Sequence, residues 1–375
     1  MVYLDNGATT RTDLEVAQCA MEMMTDCFGN PSSLHYLGAQ AFMKLGTARN
    51  QLAKVIGAHT SRIWFTSGGT ESNNLAIQGA ASACRWKGRH LVTTAIEHDS
   101  VLKACGRLQE DGWEVTYVQP DLVSHRITAK AVIDAVREDT VLVSVMYVNN
   151  ETGDIQPLKE IVAGVRRKNP KTLIHCDCVQ GYGKLPFKLH EINVDMVSAS
   201  AHKIHGPKGV GMLYLRDPSL IKPLEYGGKQ EGGVNPGTES VPLACAFGLA
   251  ADRALYRMRD TIEGVTDVRN YLKEHMQETF PHMRVNSPEN DCSPYILNVA
   301  FPGTEAHKLV SFLSYHDIFV SAGSACTKGA PSHVLQAMHY DEDIVRSSIR
   351  ISLCRYNTKE DADQLLRVLK SFPGL

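Results

Sequence analysis

An α/β fold is predicted by three features of the 375-residue sequence: a large domain with a mostly parallel mixed sheet between helices, plus a smaller α+β domain. Short apolar runs alternate with helical periodicity from about residue 63 to residue 215, the pattern of strand–helix–strand crossovers. Polar and glycine-rich segments follow those runs, where open parallel sheets bind ligands. Beyond residue 258 the texture changes to helical segments separated by isolated strand-like pieces. The expected boundaries are 12–258 for the large domain, and 1–11 with 259–375 for the smaller one, completed by the N-terminal strand.

The chain opens with a short apolar strand that runs into the turn-forming Asp5-Asn6-Gly7-Ala8-Thr9-Thr10, and helical periodicity follows over 13–24 and 38–56. Ile63-Trp64-Phe65-Thr66 reads as a compact strand breaking into Ser67-Gly68-Gly69-Thr70 before a helix over 73–83. Strands are predicted over 90–95, 113–118, 141–148, 172–176 and 194–197, with helices over 99–110, 129–137 and 158–168. A strand over 209–215 precedes the glycine-rich 226–238, and a helical pattern runs from 241 to about 259. Finally, helices over 265–279 and 306–315 alternate with strand-like segments at 296–301, 319–321 and 348–353.

Composition narrows the class. With 43% hydrophobic and 21% charged residues the chain reads as an ordinary globular protein, and a net charge of −2 gives no reason to expect nucleic acid to be held by a basic face. No stretch reaches the roughly 18 unbroken apolar residues that a membrane span requires. The opening Val2-Tyr3-Leu4-Asp5 is unlike a basic-then-apolar leader, so a cytoplasmic location is expected. Ten scattered cysteines form no Cys-x-x-Cys pair and read as reduced thiols, Cys176 and Cys178 packing as small hydrophobes. No metal site is expected in the isolated chain.

Chemistry gathers at the strand ends. The run 194–197 leads into Ser198-Ala199-Ser200-Ala201-His202-Lys203 and delivers a lysine to the loop Gly206-Pro207-Lys208-Gly209, while Asp177 ends the preceding strand. A Schiff-base lysine beside a carboxylate able to keep a ring nitrogen protonated suits pyridoxal phosphate; a surface lysine after a strand is the plain alternative. At Ser67-Gly68-Gly69-Thr70, unpaired backbone N–H groups and a helix dipole would favour a phosphate, although the same residues also make an ordinary capped turn. His98, Asn149, Asn150, Gln180, Ser200 and His202 follow strands at the same sheet edge, as a cofactor pocket requires. The glycine-rich 226–238 either approaches a ligand closely or is a surface loop. Cys326, in Gly323-Ser324-Ala325-Cys326-Thr327-Lys328, has no bulky neighbours in sequence and is a candidate nucleophile whose thiolate Lys328 would favour. Arg350, between Ser348 and Ser352, suits a substrate carboxylate; an ion pair is the other reading.

Taken together, several motifs resemble those of the NifS- and IscS-type cysteine desulfurases, in order from residue 3 to about residue 357. They are Asp5-Asn6-Gly7-Ala8-Thr9-Thr10, Phe28-Gly29-Asn30-Pro31-Ser32-Ser33, Thr66-Ser67-Gly68-Gly69-Thr70-Glu71-Ser72-Asn73-Asn74, Glu97-His98, Val148-Asn149-Asn150-Glu151, Asp177 with Gln180, His202-Lys203, Gly237-Thr238 and Gly323-Ser324-Ala325-Cys326-Thr327. The resemblance implies a homodimeric class V aminotransferase of fold type I, dependent on pyridoxal 5'-phosphate. Such an enzyme takes sulfur from L-cysteine, leaves L-alanine and forms a persulfide on Cys326. The persulfide then passes to an acceptor protein serving iron–sulfur cluster assembly or nucleic-acid thiolation.

By the same resemblance Lys203 is the aldimine lysine, Asp177 partners the pyridine nitrogen, Gln180 contacts the ring hydroxyl and His98 stacks on the ring. Gly69, Thr70, Ser200 and His202 hold the phosphate, joined by Thr238 of the other subunit. Asn149 lies at cofactor and substrate, Arg350 binds the substrate carboxylate, and Lys203 and His98 carry protons. Cys326 receives the sulfur and would ligate a cluster transiently.

The chain departs from the family pattern in that Gly232 and Asn235 stand where arginines are usual, which puts the order and positive potential of that loop in question. The segment after Cys326 is about two residues shorter, and with the sequence ending at Leu375 the extended tail that engages an iron–sulfur scaffold is not expected. These departures suggest a specialised acceptor, such as a nucleic-acid thiolation protein. The competing readings are a selenocysteine lyase or another fold-type I enzyme on a small amino acid, and a non-catalytic sulfur-relay partner. Cys326 favours desulfuration, since plain transamination needs no nucleophilic thiol.

Overall fold

A computed structural model describes residues 1–323 and 331–375. After β1 (Val2–Tyr3), seven strands form one sheet: β2 (Ile63–Thr66), β3 (His90–Thr94), β4 (Glu114–Val118), β5 (Thr140–Met146), β6 (Leu173–Asp177), β7 (Met196–Ser200) and β8 (Gly211–Leu215). Their order is β2-β8-β7-β6-β5-β3-β4. β8 runs antiparallel to both β7 and β2, and the remaining pairs are parallel. Because β8 opposes both neighbours, β2 and β7 point the same way. The carboxyl ends of β2, β3, β5, β6 and β7 therefore share one edge.

Strands β3, β5, β6, β7 and β8 are buried throughout, as near-continuous apolar runs covered on both faces should be. Helices Leu14–Thr25, Tyr36–Ile56 and Val241–Tyr256 pack together on one face, with Leu45, Leu52 and Phe247 in their shared core. On the other face Trp64, Ile77, Leu91, Leu142 and Leu213 cluster under the helical run Gly69–Asn74, which continues through a π turn at Leu75–Gly79. Two buried histidines tie strands together: His90 sits 2.8 Å from both Thr140 and Thr116, and His175 sits 2.9 Å from both Ser144 and Ser198. Burial holds both imidazoles below their usual range, so they serve as neutral hydrogen-bonding struts.

The rest of the chain adds β9 (Arg284–Val285), β10 (Ile296–Ala300), β11 (Ile318–Phe319) and β12 (Ser348–Ser352). β10 lies between β12 and β9 in an antiparallel sheet, and β1 pairs in parallel with β11. Leu4, Leu272, Leu297, Leu309, Ile349 and Leu365 share a core there. The helical pattern expected from 241 to about 259 ends at Tyr256, and the next helix begins at Met258 rather than near 265. The first turns of that helix, Met258-Arg259-Asp260-Thr261, carry too few apolar residues for periodicity to mark its start. Among the described residues no helix is long and apolar enough to cross a membrane.

Candidate active site

The shared edge of the sheet opens on a cavity of about 240 Å3. Gly69, Thr70 and His98 line it from β2 and β3, while Asp177, Gln180, Ser200, His202 and Lys203 line it from β6 and β7. Arg350 reaches it from β12, and Gly7 and Ala8 from the N-terminal turn. One pocket thus joins residues more than three hundred positions apart.

At one end of the cavity the chain leaves β2 and turns into a helix at Gly69. A Cβ on Gly69 would sit 2.7 Å from Val179 Cγ2, so only glycine lets the turn pass this close to the loop after β6. Gly69 and Thr70, in the first turn of the helix, line the cavity with Ser200 and His202, and helix N-termini of this kind suit an anion. Burial, with help from Lys203, holds His202 down to about 3. It is therefore a neutral hydrogen-bonding group, 3.2 Å from Thr9 Oγ1.

Asp177, at the end of β6, accepts from Val179 N at 2.9 Å and from Asn73 Nδ2 at 2.7 Å. Asn73 also donates to Ser100 Oγ at 2.8 Å, and Ser100 Oγ lies 2.9 Å from His98 Nδ1. Since the amide N–H groups only donate, the Ser100 hydroxyl is left to donate onward to the imidazole. Ser100 N also donates to His98 Nδ1, because His98 caps the helix Asp99–Glu110. With Nδ1 occupied as an acceptor, neutral His98 carries its proton on Nε2. Burial lowers its pKa against the opposing pull of Asp177.

Lys203 Nζ donates to the carbonyls of Gly7 at 2.6 Å and Ala8 at 2.7 Å. Gln180 Nε2 donates to the same Gly7 carbonyl at 3.0 Å. Arg350 is 1% exposed; it donates to Asn150 O and to Asp5 Oδ1, each at 2.9 Å. Its Nε is buried with no hydrogen-bond partner among the described residues. A Cβ on Gly7 would come within 3.2 Å of the guanidinium carbon, so the turn Asp5-Asn6-Gly7-Ala8 closes over Arg350 through a glycine. A planar cation in a cavity wall, with its Nε donor unused, suits a carboxylate.

Some of the expected residues are placed differently. The Asn149 side chain is consumed by the backbone: Nδ2 donates to Ile96 O, and Oδ1 accepts from Glu151 N and Thr152 N. It shapes the turn after β5, and the neighbouring Asn150 lines the cavity. Thr238 lies in a separate cleft with Phe65, Glu231 and Asn235. The loop that carries it is pinned to the sheet edge at Phe65, whose N donates to Glu231 Oε2 at 2.8 Å and whose carbonyl accepts from Asn235 at 3.1 Å. Arg49 pairs with the same Glu231 carboxylate. Asn235, one of the two departures noted above, thus anchors the loop through a neutral hydrogen bond instead of positive charge.

Cys326 lies outside the described residues. On the near side of that segment, Gly323 would bring a Cβ to 3.7 Å from both Glu151 Oε2 and the Cβ of Ser332. On the far side, Ser332 Oγ donates to the same Glu151 oxygen at 2.5 Å. Glu151 is fully buried, and burial raises its pKa.

Sequence reasoning assigned no role to Asn73, Ser100 or Asp5, although Asp5 and Asn73 stand in the motifs quoted above. Asn73 and Ser100 occupy the first turns of helices that begin at the predicted strand ends, and that position was a usable signal. For Asp5 the motif gave no role, because it acts through Arg350, a partner known only from the fold.

The arrangement suits a flat, phosphorylated heterocycle. Asn73 Oδ1 and Arg350 Nε are buried polar atoms without hydrogen-bond partners among the described residues, both on cavity-lining residues. The Gly69 turn excludes any side chain, and a carboxylate, a lysine and an imidazole share the remaining wall. Pyridoxal phosphate fits this donor set.

The aminotransferase class-V family model matches residues 2–365. The cysteine desulfurase IscS of Dictyoglomus turgidum is 39% identical over 371 residues, covering 98% of this chain and 93% of that protein. A NifS-like protein of known structure superposes with a TM-score of 0.92 at 38% identity, covering 98% of this chain and 97% of its own. The structure of SspA in complex with cysteine gives a TM-score of 0.83 at 35% identity, covering 96% and 100%. The motifs, the sheet order and these similarities agree: the chain belongs to the NifS/IscS-type cysteine desulfurases of aminotransferase class V, a pyridoxal phosphate-dependent family of fold type I.

Proposed function

We propose that this protein removes sulfur from L-cysteine, leaving L-alanine and a persulfide on Cys326 that an acceptor protein collects. The convergence of Lys203, Asp177, His98 and a buried Arg350 with an unused donor in one cavity carries this reading. Gly69, Thr70, Ser200 and His202 would hold the cofactor phosphate, Asp177 its ring nitrogen and Gln180 its ring oxygen. Bound pyridoxal phosphate supplies the electron sink for breaking the bond between the α-carbon and its hydrogen.

Arg350 orients the substrate through its carboxylate, held in place by Asp5 and the Asn150 carbonyl. Lys203 takes the proton, and His98, neutral with its proton on Nε2, returns one to carbon. The Cys326 thiolate attacks the substrate sulfur. The carbon–sulfur bond breaks as the sulfur–sulfur bond forms, and protonation of carbon yields alanine. Cysteine and thiol become alanine and persulfide with no outside oxidant.

A homodimer completes the site in this reading, because Thr238 lies away from its own chain's cavity. Leu14, Met21 and Met24 on one helix and Phe42 and Met43 on another, both packed on Val241–Tyr256, are exposed apolar side chains that a second copy would cover. The nine described cysteines are free, which supports a reducing compartment, the cytoplasm. The acceptor is a specialised one, such as a nucleic-acid thiolation protein; equal persulfide transfer to a general iron–sulfur scaffold would remove that part of the proposal.

Mass spectrometry after brief incubation with L-cysteine, with alanine assayed in the same sample, tests the activity. A sulfur adduct on Cys326 with alanine formed, and neither in Cys326→Ser, is expected. Cofactor-loaded protein that yields neither would point to another small amino acid as substrate.

A further inference from the structure

Lys184 is an unexplained buried cation. It is 6% exposed on the loop after β6, and burial pushes its ammonium down to about 8. No carboxylate pairs with it among the described residues. Nζ donates to Gln180 Oε1 at 3.1 Å and sits 5.5 Å from the centre of the Tyr295 ring, beside a void of about 30 Å3 that Cys354 and Arg355 also line. Burying an ammonium opposes folding unless something is gained.

The gain lies in the orientation of Gln180. An ammonium only donates and a backbone carbonyl only accepts. Lys184 therefore requires the oxygen of the Gln180 amide on its side, and Gly7 O, 3.0 Å from Nε2, requires the nitrogen on the other. Both neighbours select the same orientation, and one Nε2–H remains to donate from a residue that lines the cavity.

We propose that Lys184 is a positioning residue for the cofactor: it locks the Gln180 amide so that an N–H, and not the carbonyl, is presented to the ring oxygen of pyridoxal phosphate. This rests on the cofactor reading above. A donor at the ring oxygen stabilises negative charge there, which is greatest once the proton on the Lys203–cofactor linkage has left. The donor therefore lowers the apparent pKa of that linkage.

The test is a pH titration of the visible absorbance of the substrate-free holoenzyme. Lys184→Met should raise the apparent pKa by roughly one unit, the effect of losing one hydrogen bond to a charged oxygen. Gln180→Leu should raise it similarly, and adding Lys184→Met to Gln180→Leu should change nothing further. An unshifted titration in Lys184→Met overturns the proposal, as does a shift that persists undiminished in the Gln180→Leu background, because the charge would then act directly. Gln180→Glu gives a second route if the methionine variant does not fold: a carboxylate there would pair with Lys184 and leave no donor, so the pKa should again rise, and no rise overturns the proposal. Failure of the cofactor reading looks different, since the wild-type chain would then show no Lys203-dependent visible band.

Discussion

Asn73 Nδ2 donates to Asp177 Oδ2 at 2.7 Å, and the same amide nitrogen donates to Ser100 Oγ at 2.8 Å. The carboxylate that faces the cavity and the imidazole of His98 therefore share one asparagine. Replacing Asn73 by alanine removes a charge-assisted hydrogen bond from Asp177, worth about 1.5–3 kcal/mol. Asp177 is then no longer held in position for a ring nitrogen. Pyridoxal phosphate affinity, measured by equilibrium dialysis, should fall at least about tenfold; unchanged affinity would show that the amide contributes nothing to the carboxylate.

Arg350→Lys keeps the charge but gives up the planar fork that reaches Asp5 Oδ1 and Asn150 O together. KM for L-cysteine should rise by at least about tenfold, with kcat falling less and cofactor affinity preserved. A fall in kcat at constant KM would place Arg350 elsewhere than at the substrate carboxylate.

The Glu231 carboxylate, 4% exposed, joins Arg49 to the edge-strand N–H of Phe65. Glu231→Ala leaves both donors without their acceptor and should cost about 3 kcal/mol in stability. Cofactor affinity should weaken along with it if Thr238, seven residues on, serves the partner's site. Urea unfolding and cofactor dialysis on the same preparations separate the two effects.

Glu97 sets a pH trend. Its Oε1 accepts from Met146 N and Thr94 Oγ1, its Oε2 is buried without a partner among the described residues, and burial raises its pKa from 4.5 to about 8. Between those values the folded chain keeps a proton there that the unfolded chain has released. This contribution to stability is complete below about 4.5 and is lost as pH rises toward about 8, with a limiting slope of about 1.4 kcal/mol per unit. Glu97→Gln lacks the titrating group, so its stability relative to wild type should improve between pH 6 and pH 8 in urea unfolding. A constant difference would mean that Glu97 is ionised in the folded state.

The cofactor-facing motifs were legible because they are local. Gly69-Thr70, His98, Asp177 and His202-Lys203 each follow a strand recognisable from its apolar run, and one sheet edge gathers all of them. Asn149 and Asn150 show where this stops. Both follow β5, and only the backbone turn decides that Asn149 is spent on Ile96, Glu151 and Thr152 while Asn150 lines the cavity.

The sequence by itself determined the α/β class and the order of the strand-end motifs, since hydrophobic period and turn chemistry act over a few residues, and the family resemblance those motifs carry implied the cofactor. Tertiary structure alone decided that Asp5 holds Arg350 across 345 positions, that Lys184 orients Gln180, and that Glu231 with Asn235 fastens the glycine-rich loop to Phe65. Those contacts join chain segments whose separation in sequence carries no period, and only the packing of one segment on another brings donor to acceptor.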